Sequence, residues 1–373
     1  MTRSAVLVFA CSIATANAGC GLGSSSSGAA GTSGAAGTSG GAGTSGAAGT
    51  SGAAGTSAGA GGRGGTSGAA GSSGTTGAGG ASALPEGNNG IASRHPGDVG
   101  IAGDADVIFA DDFEGYTRGA DLNNRWDAVY QNQYVDITTD TANVYRGSKA
   151  LQFTLPQQTA ELSDATDKKV SPEQDVLFLR YYSKFQPPYD VVGSSHNGSS
   201  ISAHYFTSDG QATPGVPADG TNKFLANLEN WRGEAATPSP GDLNIYLYHP
   251  EQRSQYGDHF FPNGDVSPNT SIKFTYGPGF VSRPNIIQEL GRWYCYEYML
   301  KANTPGQRDG RIAVWLDGVL VADFPGLRLR DVATLKIDRF GLSFHIGSNP
   351  NGQARKWYDN VVAAKSYIGP VAP

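Results

Sequence analysis

Cysteine, charge and long apolar runs are all scarce in this sequence. Its three cysteines are Cys11, Cys20 and Cys295, and charged residues make up 16% of the 373 positions. Because two of the cysteines lie at the amino-terminal end, no disulfide is expected in the rest of the chain. Cys295 is predicted to be a small apolar strand residue, since no Cys-His signature surrounds it. The net charge of −6 gives no bulk attraction to nucleic acid, and no nucleic-acid, serine-hydrolase or zinc-protease motif occurs.

The amino-terminal end has the three parts of an export signal. Met1 to Arg3 is a short positive region, residues 5–16 are apolar, and Ala16-Asn17-Ala18 fits a small-x-small cleavage site. The apolar part is shorter than the roughly 20 residues that a membrane-spanning helix needs. We therefore expect a signal peptide over residues 1–19 and an exported protein.

Cys20 directly follows the predicted signal peptide and is a candidate site of lipidation. It ends the order Asn17-Ala18-Gly19-Cys20, which resembles a bacterial lipobox, with Asn17 where that pattern normally has leucine. Lipidation at Cys20 would give a cell-surface lipoprotein that is held to the membrane only through its lipid. Ordinary cleavage after Ala18 would give an extracellular protein, and both outcomes stay open.

Residues 20–83 are almost entirely glycine, alanine, serine and threonine, and the sequence GTSGAA recurs in them. Such a segment has too little apolar surface to offset the entropy of ordering it, so we predict a disordered tether. At about 5–6 Å times the square root of its length, its mean reach is on the order of 45 Å.

From Leu84 to Pro373 the composition changes to aromatic residues and short alternating segments separated by Gly, Pro, Asn and Asp. No long amphipathic helical period occurs. This pattern predicts one all-β domain over residues 84–373, a two-sheet antiparallel sandwich of the jelly-roll type. The predicted strands are Val107–Phe113, Ala150–Phe153, Val176–Phe185, Ser199–Phe206, Lys223–Glu229, Leu243–Tyr248, Ser271–Tyr276, Trp293–Lys301, Arg311–Leu316, Val319–Phe324, Lys336–His345 and Lys356–Ala364.

Alternation within these strands assigns side chains to a core face and a solvent face. In residues 176–185 it predicts that Arg180, Tyr182 and Lys184 are exposed, and in residues 311–316 it predicts an exposed Trp315. The side on which Glu297 lies stays undecided. Tyr246, Tyr248 and His345 are also assigned to solvent faces. Aromatic rings beside cations, amides and histidines suit a sugar chain, because rings stack on pyranose faces while charged groups bind hydroxyls and carboxylates.

Two long polar segments, Ser208–Asp219 and Pro250–Pro268, lie between predicted strands. They are interpreted either as walls of a groove or as ordinary surface loops.

A set of short motifs resembles the concanavalin A-like lectin/glucanase superfamily, nearest to jelly-roll polysaccharide lyases and their secreted relatives. The resemblance covers about residues 107–364 and implies the jelly-roll fold. The motifs are Asp111-Asp112-Phe113-Glu114, Arg180-Tyr181-Tyr182-Ser183-Lys184-Phe185, Trp293 with Glu297, Asn303-Thr304-Pro305-Gly306, Asp309-Gly310, Trp315, Asp317-Gly318 and Asp359-Asn360-Val361-Val362.

The resemblance also implies a structural calcium ion, held by Glu114 near the first strand and Asp359 in the last, with Asp112 as a third ligand. Oxygen ligands suit this cation. The alternative is that these acids only form turns at strand ends. No organic cofactor is expected.

A lyase acting on a uronic acid polymer must neutralise a carboxylate, remove the proton beside it and protonate the leaving oxygen. The sequence-based candidates for catalysis are His196, Arg180, Lys184 and Tyr246. Those for substrate binding are Tyr182, Asn197, His204, Tyr248, Glu297, Trp315 and His345. The expected partner is therefore an acidic polysaccharide, bound by a monomer.

Two other functions stay open. If the chain has no catalytic site, it is either a lectin-like carbohydrate-binding module or a structural surface lipoprotein. Glycoside hydrolysis is less favoured, because the Glu-x-Asp-x-x-Glu segment of the superfamily's glucanases is absent and Glu229 and Glu297 would have to be brought together by the fold.

Overall fold

The computed structural model describes residues 83–191, 195–233, 237–268, 274–277, 279–347, 349 and 351–373. The predicted signal peptide, the predicted lipidation at Cys20 and all but the last residue of the predicted tether lie outside them. No helix in these ranges is long and apolar enough to cross a membrane.

The described chain consists of strands joined by turns and six short 3₁₀ helices. The helices are Ile91–Arg94, Pro96–Asp98, Ile101–Gly103, Gly119–Asn124, Asn132–Tyr134 and Thr141–Asn143. The strands are β1 (Val107–Asp111), β2 (Ala128–Tyr130), β3 (Val135–Thr138), β4 (Ala150–Leu155), β5 (Leu162–Gln174), β6 (Val176–Phe185), β7 (Ser195–His196), β8 (Ser199–Ala203), β9 (Phe224–Trp231), β10 (Asp242–Tyr248), β11 (Asp258–Phe260), β12 (Asp265–Pro268), β13 (Phe274–Thr275), β14 (Tyr294–Lys301), β15 (Gly310–Leu316), β16 (Val319–Leu327), β17 (Ile337–Ile346) and β18 (Ala354–Ala364).

These strands form two antiparallel sheets, which confirms the predicted all-β sandwich. The first sheet has the order β16-β15-β14-β6-β18-β4-β3, with β1 beside β18. The second sheet has the order β13-β12-β11-β10-β9-β8-β17-β5-β2, with β7 beside β17. The last two strands, β17 and β18, are therefore interior strands of the second and the first sheet, respectively.

The hydrophobic core lies between the sheets and follows the alternation of the sequence. Strand β6 contributes Leu177, Leu179, Tyr181 and Phe185 to it, and strand β10 contributes Leu243, Ile245 and Leu247 from the opposite side. The alternating partners of these residues lie on the outer face of each sheet. Whether these outer side chains are exposed depends on what covers that face.

An amino-terminal strap, residues 84–106, covers the outer face of the first sheet. Its backbone is bonded to the carboxyl-terminal segment, with Ile91 N–H donating to Tyr367 O at 3.0 Å and Ala92 N–H donating to Ile368 O at 2.8 Å. Apolar residues of the strap pack into a second hydrophobic cluster with Trp315, Phe178 and Met299 of the sheet. Both faces of the first sheet are therefore buried along these strands.

The strap makes the predicted sugar platform at Trp315 wrong. The Trp315 side chain is 0% exposed, and its Nε1–H donates to Pro85 O at 2.7 Å. Glu297, which lies on the same face, is also buried, and its carboxylate accepts the N–H groups of Ile368 at 2.7 Å and Gly369 at 2.8 Å. Trp315 holds the strap against the sheet, and Glu297 holds the carboxyl-terminal segment. Neither side chain is open to a substrate.

The predicted bed of Arg180, Tyr182 and Lys184 is also wrong, because all three side chains are buried. Arg180 is 0% exposed and pairs with Asp98 of the strap, with 2.5 Å between its terminal nitrogen and the Asp98 carboxylate. The Tyr182 hydroxyl accepts Val371 N–H at 2.9 Å, and its ring stacks on Tyr145.

Lys184 is buried by a hydrogen bond and by two aromatic rings. Its Nζ donates to Ala142 O and lies 5.4 Å from the ring centre of Trp293 and 4.9 Å from that of Trp357. These outward side chains of β6 are structural.

Candidate functional site

The outer face of the second sheet carries a cluster of histidines around a glutamate and a tyrosine. We call it the cleft cluster, and it consists of His196, Glu229, Tyr246, His259 and His345. Strand pairing brings these residues together, because His345 lies opposite His196, and Tyr246 lies opposite His259. Five strands, β7, β9, β10, β11 and β17, each contribute one member.

Alternation explains why these side chains leave the core. In β9 the residues Phe224, Ala226 and Leu228 belong to the core, so Leu225, Asn227 and Glu229 lie on the other face. In β17 the core residues Phe340, Leu342 and Phe344 leave Ser343 and His345 outside. Part of this face packs against Tyr205, Phe206, Ala212 and Ala218, and a cleft lies over the rest of it.

The cleft is lined by polar and aromatic side chains. Its empty space, including the part open to solvent, is about 750 Å³. His196, Tyr246, Tyr248 and His345, all predicted from the sequence, line it, together with Asn227, Tyr205, Glu161 and Tyr130.

His196 and Glu229 form the central contact of the cluster. The imidazole Nδ1 lies 2.7 Å from Glu229 Oε2, and the glutamate side chain is fully buried while that of His196 is 24% exposed. Burial raises the pKa of the Glu229 carboxyl, and His196 opposes that rise. A carboxylate bound at Nδ1 fixes the tautomer of a neutral imidazole so that Nε2 carries the free lone pair. With Nδ1–H bonded to Glu229, Nε2 is the ring nitrogen left to accept a proton.

Aromatic rings surround this pair on both sides. The His196 ring lies 4.8 Å from that of Tyr246 and 5.2 Å from that of His345, measured between ring centres. The ring of His259 lies 4.9 Å from Tyr246 and 4.6 Å from Trp231, and its Nδ1 is 3.0 Å from Asn244 Oδ1. Ring contacts of this kind fix the orientations of the reactive groups.

His259 and His345 are held in the neutral form. Burial, followed by the nearby charge of His196, lowers the pKa of each to about 3. At neutral pH each ring therefore keeps one N–H donor and one acceptor nitrogen.

This neutrality predicts a loss of stability in acid. The unfolded state takes up these two protons near the ordinary histidine pKa of about 6.5, whereas the folded state resists them down to a pKa of about 3. The free energy of unfolding should therefore fall as the pH drops through this window, by up to about 1.4 kcal/mol per pH unit for each histidine. In His345→Gln the free energy of unfolding should decrease less over the same pH range, because only one of the two buried histidines remains. Denaturant unfolding at pH 7, 5.5 and 4.5 measures this decrease. The same slope in His345→Gln and wild type would contradict this account.

The hydroxyls of Tyr246 and Tyr248 are fixed by loops at the edge of the cleft. The Tyr246 hydroxyl accepts Gly257 N–H at 3.0 Å, and the Tyr248 hydroxyl accepts Gly215 N–H at 3.2 Å. Burial raises the pKa of Tyr246 well above its ordinary value, so its phenol stays protonated. A protonated phenol beside an imidazole has a proton that it can donate.

Residues 208–219 hold one side of this region. Lys223 donates through Nζ to Thr213 Oγ1 at 2.7 Å, and its Nζ lies 4.7 Å from the ring centre of Tyr205 and 4.8 Å from that of Tyr248. Burial lowers the pKa of Lys223 to about 8. Of the two readings for Ser208–Asp219, the groove wall is therefore the one that its contacts favour.

The other predicted loop, Pro250–Pro268, includes two short strands. It contains β11 and β12, and β11 carries His259 into the cleft cluster. The sequence signal was weak, since β11 is only three residues long. His259, Asn227 and Lys223 were missed in the sequence, and Glu229 was considered only as a partner of Glu297.

Two further candidates lie near the cleft without lining it. Asn197 is 1% exposed and forms a reciprocal pair with Asn230, accepting its N–H at 2.9 Å and donating to its carbonyl at 2.9 Å. His204 has a 42% exposed side chain and lies 3.1 Å from Glu173 Oε1. Asn197 supports the turn that carries His196, and His204 lies apart.

The predicted calcium ligands Glu114 and Asp359 meet at one loop. Asp359 accepts the N–H groups of Tyr145 and Arg146 at 3.0 and 3.1 Å, and Glu114 accepts that of Ser148 at 2.7 Å. Burial, with the charge of Glu114 as a further cause, raises the pKa of Asp359 to about 7.

The third predicted ligand, Asp112, accepts Glu114 N–H at 3.2 Å. In the described ranges no group of three or more His, Cys, Asp or Glu residues is placed to hold a metal ion. Calcium binding at Glu114 and Asp359 stays a prediction, and the cleft chemistry does not depend on it.

Fold and cleft together define a jelly-roll sandwich with an aromatic, hydrogen-bonding cleft on one sheet. No protein-family model and no curated protein matches the sequence. Among solved structures, the chain is similar to the alginate lyase Aly36B, with 19% identity, a TM-score of 0.50 and coverage of 70% of this chain and 98% of that one. A double mutant of the same lyase in complex with an alginate trisaccharide matches with 19% identity, a TM-score of 0.51 and coverage of 71% and 100%. The predicted likeness to the fold of jelly-roll polysaccharide lyases is thereby confirmed.

Proposed function

We propose that the protein cleaves an acidic polysaccharide by β-elimination in the cleft of the second sheet. The observation that carries this proposal is the His196–Glu229 pair, whose imidazole lies beside the protonated phenol of Tyr246. Elimination needs one group that takes a proton and one that gives a proton on the same small region of substrate. The fold likeness to an alginate lyase supports the same reaction class, with the uronic acid polymer as substrate.

The reaction can be written with these residues. His196 Nε2 takes the proton from the carbon beside the uronate carboxylate, and the electron pair left behind forms a carbon–carbon double bond to the next ring carbon. The bond from that carbon to the glycosidic oxygen breaks, and Tyr246 donates its proton to the leaving oxygen. Glu229 stabilises the imidazolium that forms, because its carboxylate is bonded to Nδ1. The products are a shortened chain and an unsaturated uronate.

The negative charge that develops on the carboxylate needs hydrogen-bond donors. The residues lining the described cleft include no lysine or arginine. Neutral donors are present instead, because His345 keeps one N–H and Asn227 has an amide group on the same face. Both donors belong to buried side chains, where a hydrogen bond to a developing charge is stronger than in water.

Glycoside hydrolysis has little support from this geometry. Glu229 lies on the second sheet and Glu297 lies on the outer face of the first sheet, bonded to the chain terminus, so the two do not face a common space. A non-catalytic, lectin-like role stays the alternative, since the same aromatic cleft would bind a sugar chain.

The experiment that separates these functions is incubation of the purified protein with alginate, glucuronan and neutral glucans while the absorbance of unsaturated uronates is followed. New absorbance with an acidic polymer alone supports the lyase. Binding to a polymer without product supports the lectin-like alternative, and hydrolysis of a neutral glucan would refute both.

Export belongs to the same proposal. A polymer-degrading enzyme must meet its substrate outside the cell, which is where the predicted signal peptide over residues 1–19 would take the chain. Lipidation at Cys20 would then keep it at the cell surface as a monomer on its tether. Metabolic labelling with a fatty acid, compared between the wild type and Cys20→Ser, tests the anchor.

A further inference from the structure

The peptide bond between Tyr256 and Gly257 contacts the phenol that the proposed reaction uses as its acid. Its N–H group donates to the Tyr246 oxygen at 3.0 Å. The approach is close, because a Cβ atom at Gly257 would lie 2.8 Å from the Leu247 carbonyl oxygen and 3.0 Å from the Tyr246 ring. Only glycine therefore fits at this position. When Tyr246 gives up its proton, negative charge develops on the oxygen that this N–H group already contacts.

An N–H group that is in place before the reaction stabilises a negative charge as that charge forms. Burial raises the pKa of Tyr246 well above its ordinary value, and the Gly257 N–H group acts in the opposite direction. The contact thus favours release of the phenol proton to the leaving oxygen, provided that the peptide is held in position.

Gln252 and Ser254 hold that peptide at its carbonyl end. The Tyr256 carbonyl accepts Gln252 Nε2–H at 3.0 Å and Ser254 Oγ–H at 2.9 Å. Gln252 Nε2 also donates to the Ser254 carbonyl at 3.0 Å, and Ser254 Oγ accepts Tyr256 N–H at 3.0 Å. Because a peptide unit is planar, fixing its carbonyl also fixes the direction of its N–H group.

Gln252 also joins this turn to the groove wall of residues 208–219. Its Oε1 accepts Ala218 N–H at 3.1 Å, and Ala218 packs in one hydrophobic cluster with Tyr246 and Tyr248. The amide of glutamine has both an acceptor oxygen and a donor nitrogen, which this position requires. One side chain therefore binds the wall through its oxygen and the turn through its nitrogen.

We propose that Gln252 is a positioning residue for Tyr246, which holds the Tyr256–Gly257 peptide so that its N–H group stabilises the phenolate as it forms. The catalytic part of this inference rests on the proposed function. The positioning itself is a property of the ligand-free protein and is measured without substrate. Gln252 is not among the residues that line the described cleft, so its loss should affect the reaction more than binding.

The variant that tests this arrangement is Gln252→Glu, measured first in the ligand-free protein. Its carboxylate keeps an acceptor for Ala218 N–H but loses both donors to the turn. Hydrogen exchange of the Gly257 amide, followed by NMR, should become about tenfold faster, because the peptide that carries this amide is less firmly held. The ¹³C resonance of the hydroxyl-bearing ring carbon of Tyr246, assigned with Tyr246→Phe, should move as well.

Two controls separate this local effect from a general loss of stability. The amide of Ile368, which is bonded to Glu297 on the first sheet, should exchange at the wild-type rate in Gln252→Glu. Gln255→Glu makes the same chemical change in the same turn, on an exposed side chain. In that variant both signals should match those of the wild type.

The kinetic measurement uses the acidic polymer as substrate. Gln252→Glu should lower kcat by about 10–100-fold, the loss expected when a reacting group is displaced by up to about 1 Å. KM should stay near that of Gln255→Glu, because the lining of the cleft is unchanged. A kcat equal to that of Gln255→Glu, or a change confined to KM, would overturn the proposal.

An unchanged Gly257 exchange rate in Gln252→Glu would overturn the proposal equally. If the glutamate variant does not fold, Gln252→Met, which is uncharged and of similar length, is measured in its place with the same expectations. In the wild type, a Gly257 amide that exchanges as fast as an unprotected one would overturn the proposal without any variant. If the wild type forms no product from any polymer while the NMR effects are present, the positioning of Tyr246 stands and only the proposed reaction is refuted.

Discussion

Glutamine in place of His196 should lower kcat/KM for the acidic polymer by about 10²–10⁴-fold, the usual contribution of a positioned general base. Glutamine keeps a similar shape and can still hydrogen-bond Glu229, but it cannot take a proton at neutral pH. The measurement is the initial rate of unsaturated-uronate formation across a range of polymer concentrations. The loss should appear in kcat, because the substitution leaves the lining of the cleft in place.

His204→Gln is the matched control for this experiment. It makes the same chemical change on the second sheet, at a side chain that is 42% exposed and pairs with Glu173 outside the cleft. Its rate should equal that of the wild type. Tyr246→Phe should cause a comparable loss, and the double variant should lose little more than either single one, because an acid and a base acting in one step do not contribute additively. A His196→Gln protein that keeps the wild-type rate would remove His196 from the mechanism.

Asparagine in place of Asp98 should lower the free energy of unfolding by about 3–5 kcal/mol, the cost of leaving a buried charge without its partner. Arg180 is 0% exposed, and Asp98 is its ion-pair partner at 2.5 Å. Asparagine also tolerates the positive φ of 60° at this position, so the substitution removes charge without straining the backbone. Denaturant unfolding measures the effect. Arg94→Ala, which breaks an exposed ion pair in the same strap, should change stability far less.

The double variant Asp98→Asn with Arg180→Met separates structure from function. Replacing both charges of a buried pair by uncharged side chains is often nearly neutral, so most of the lost stability should return. The restored protein should degrade the polymer at the wild-type rate, because Arg180 lies on the outer face of the first sheet under the strap. A rate that falls with Arg180→Met would restore this residue to the substrate site and refute the structural assignment.

Sequence alternation identified the faces of the strands but not what covers them. The side assigned to Arg180 in β6 and to Tyr246 in β10 was correct in both cases, since each lies opposite the core. Arg180 is closed off by residues 84–106, a segment of turns and short 3₁₀ helices with no strand or helix periodicity to announce that it packs on a sheet. Tyr246 packs against Tyr205 and Tyr248 and lines the cleft of the second sheet.

The cleft cluster could be predicted only in part, because its members come from distant strands. His196 and Glu229 are separated by 33 positions, and their contact depends on the pairing of neighbouring strands in the second sheet. A single sequence gives no information on that register. His259 was missed for a different reason. It lies in a three-residue strand, which is too short to show alternation, and the sequence therefore predicts a loop there.

The buried thiol of Cys295 is a probe of local opening on the outer face of the first sheet. The thiol is the free cysteine of the described residues, is 2% exposed, and lies on the outer face of β14 beside Arg180 and Tyr182, with burial raising its pKa to about 12. A thiol in this state reacts only during the moments when the covering segment detaches. The rate at which a thiol reagent modifies Cys295 under native conditions therefore reports how often the segments that cover this face of the first sheet open, at a site away from the cleft of the second sheet.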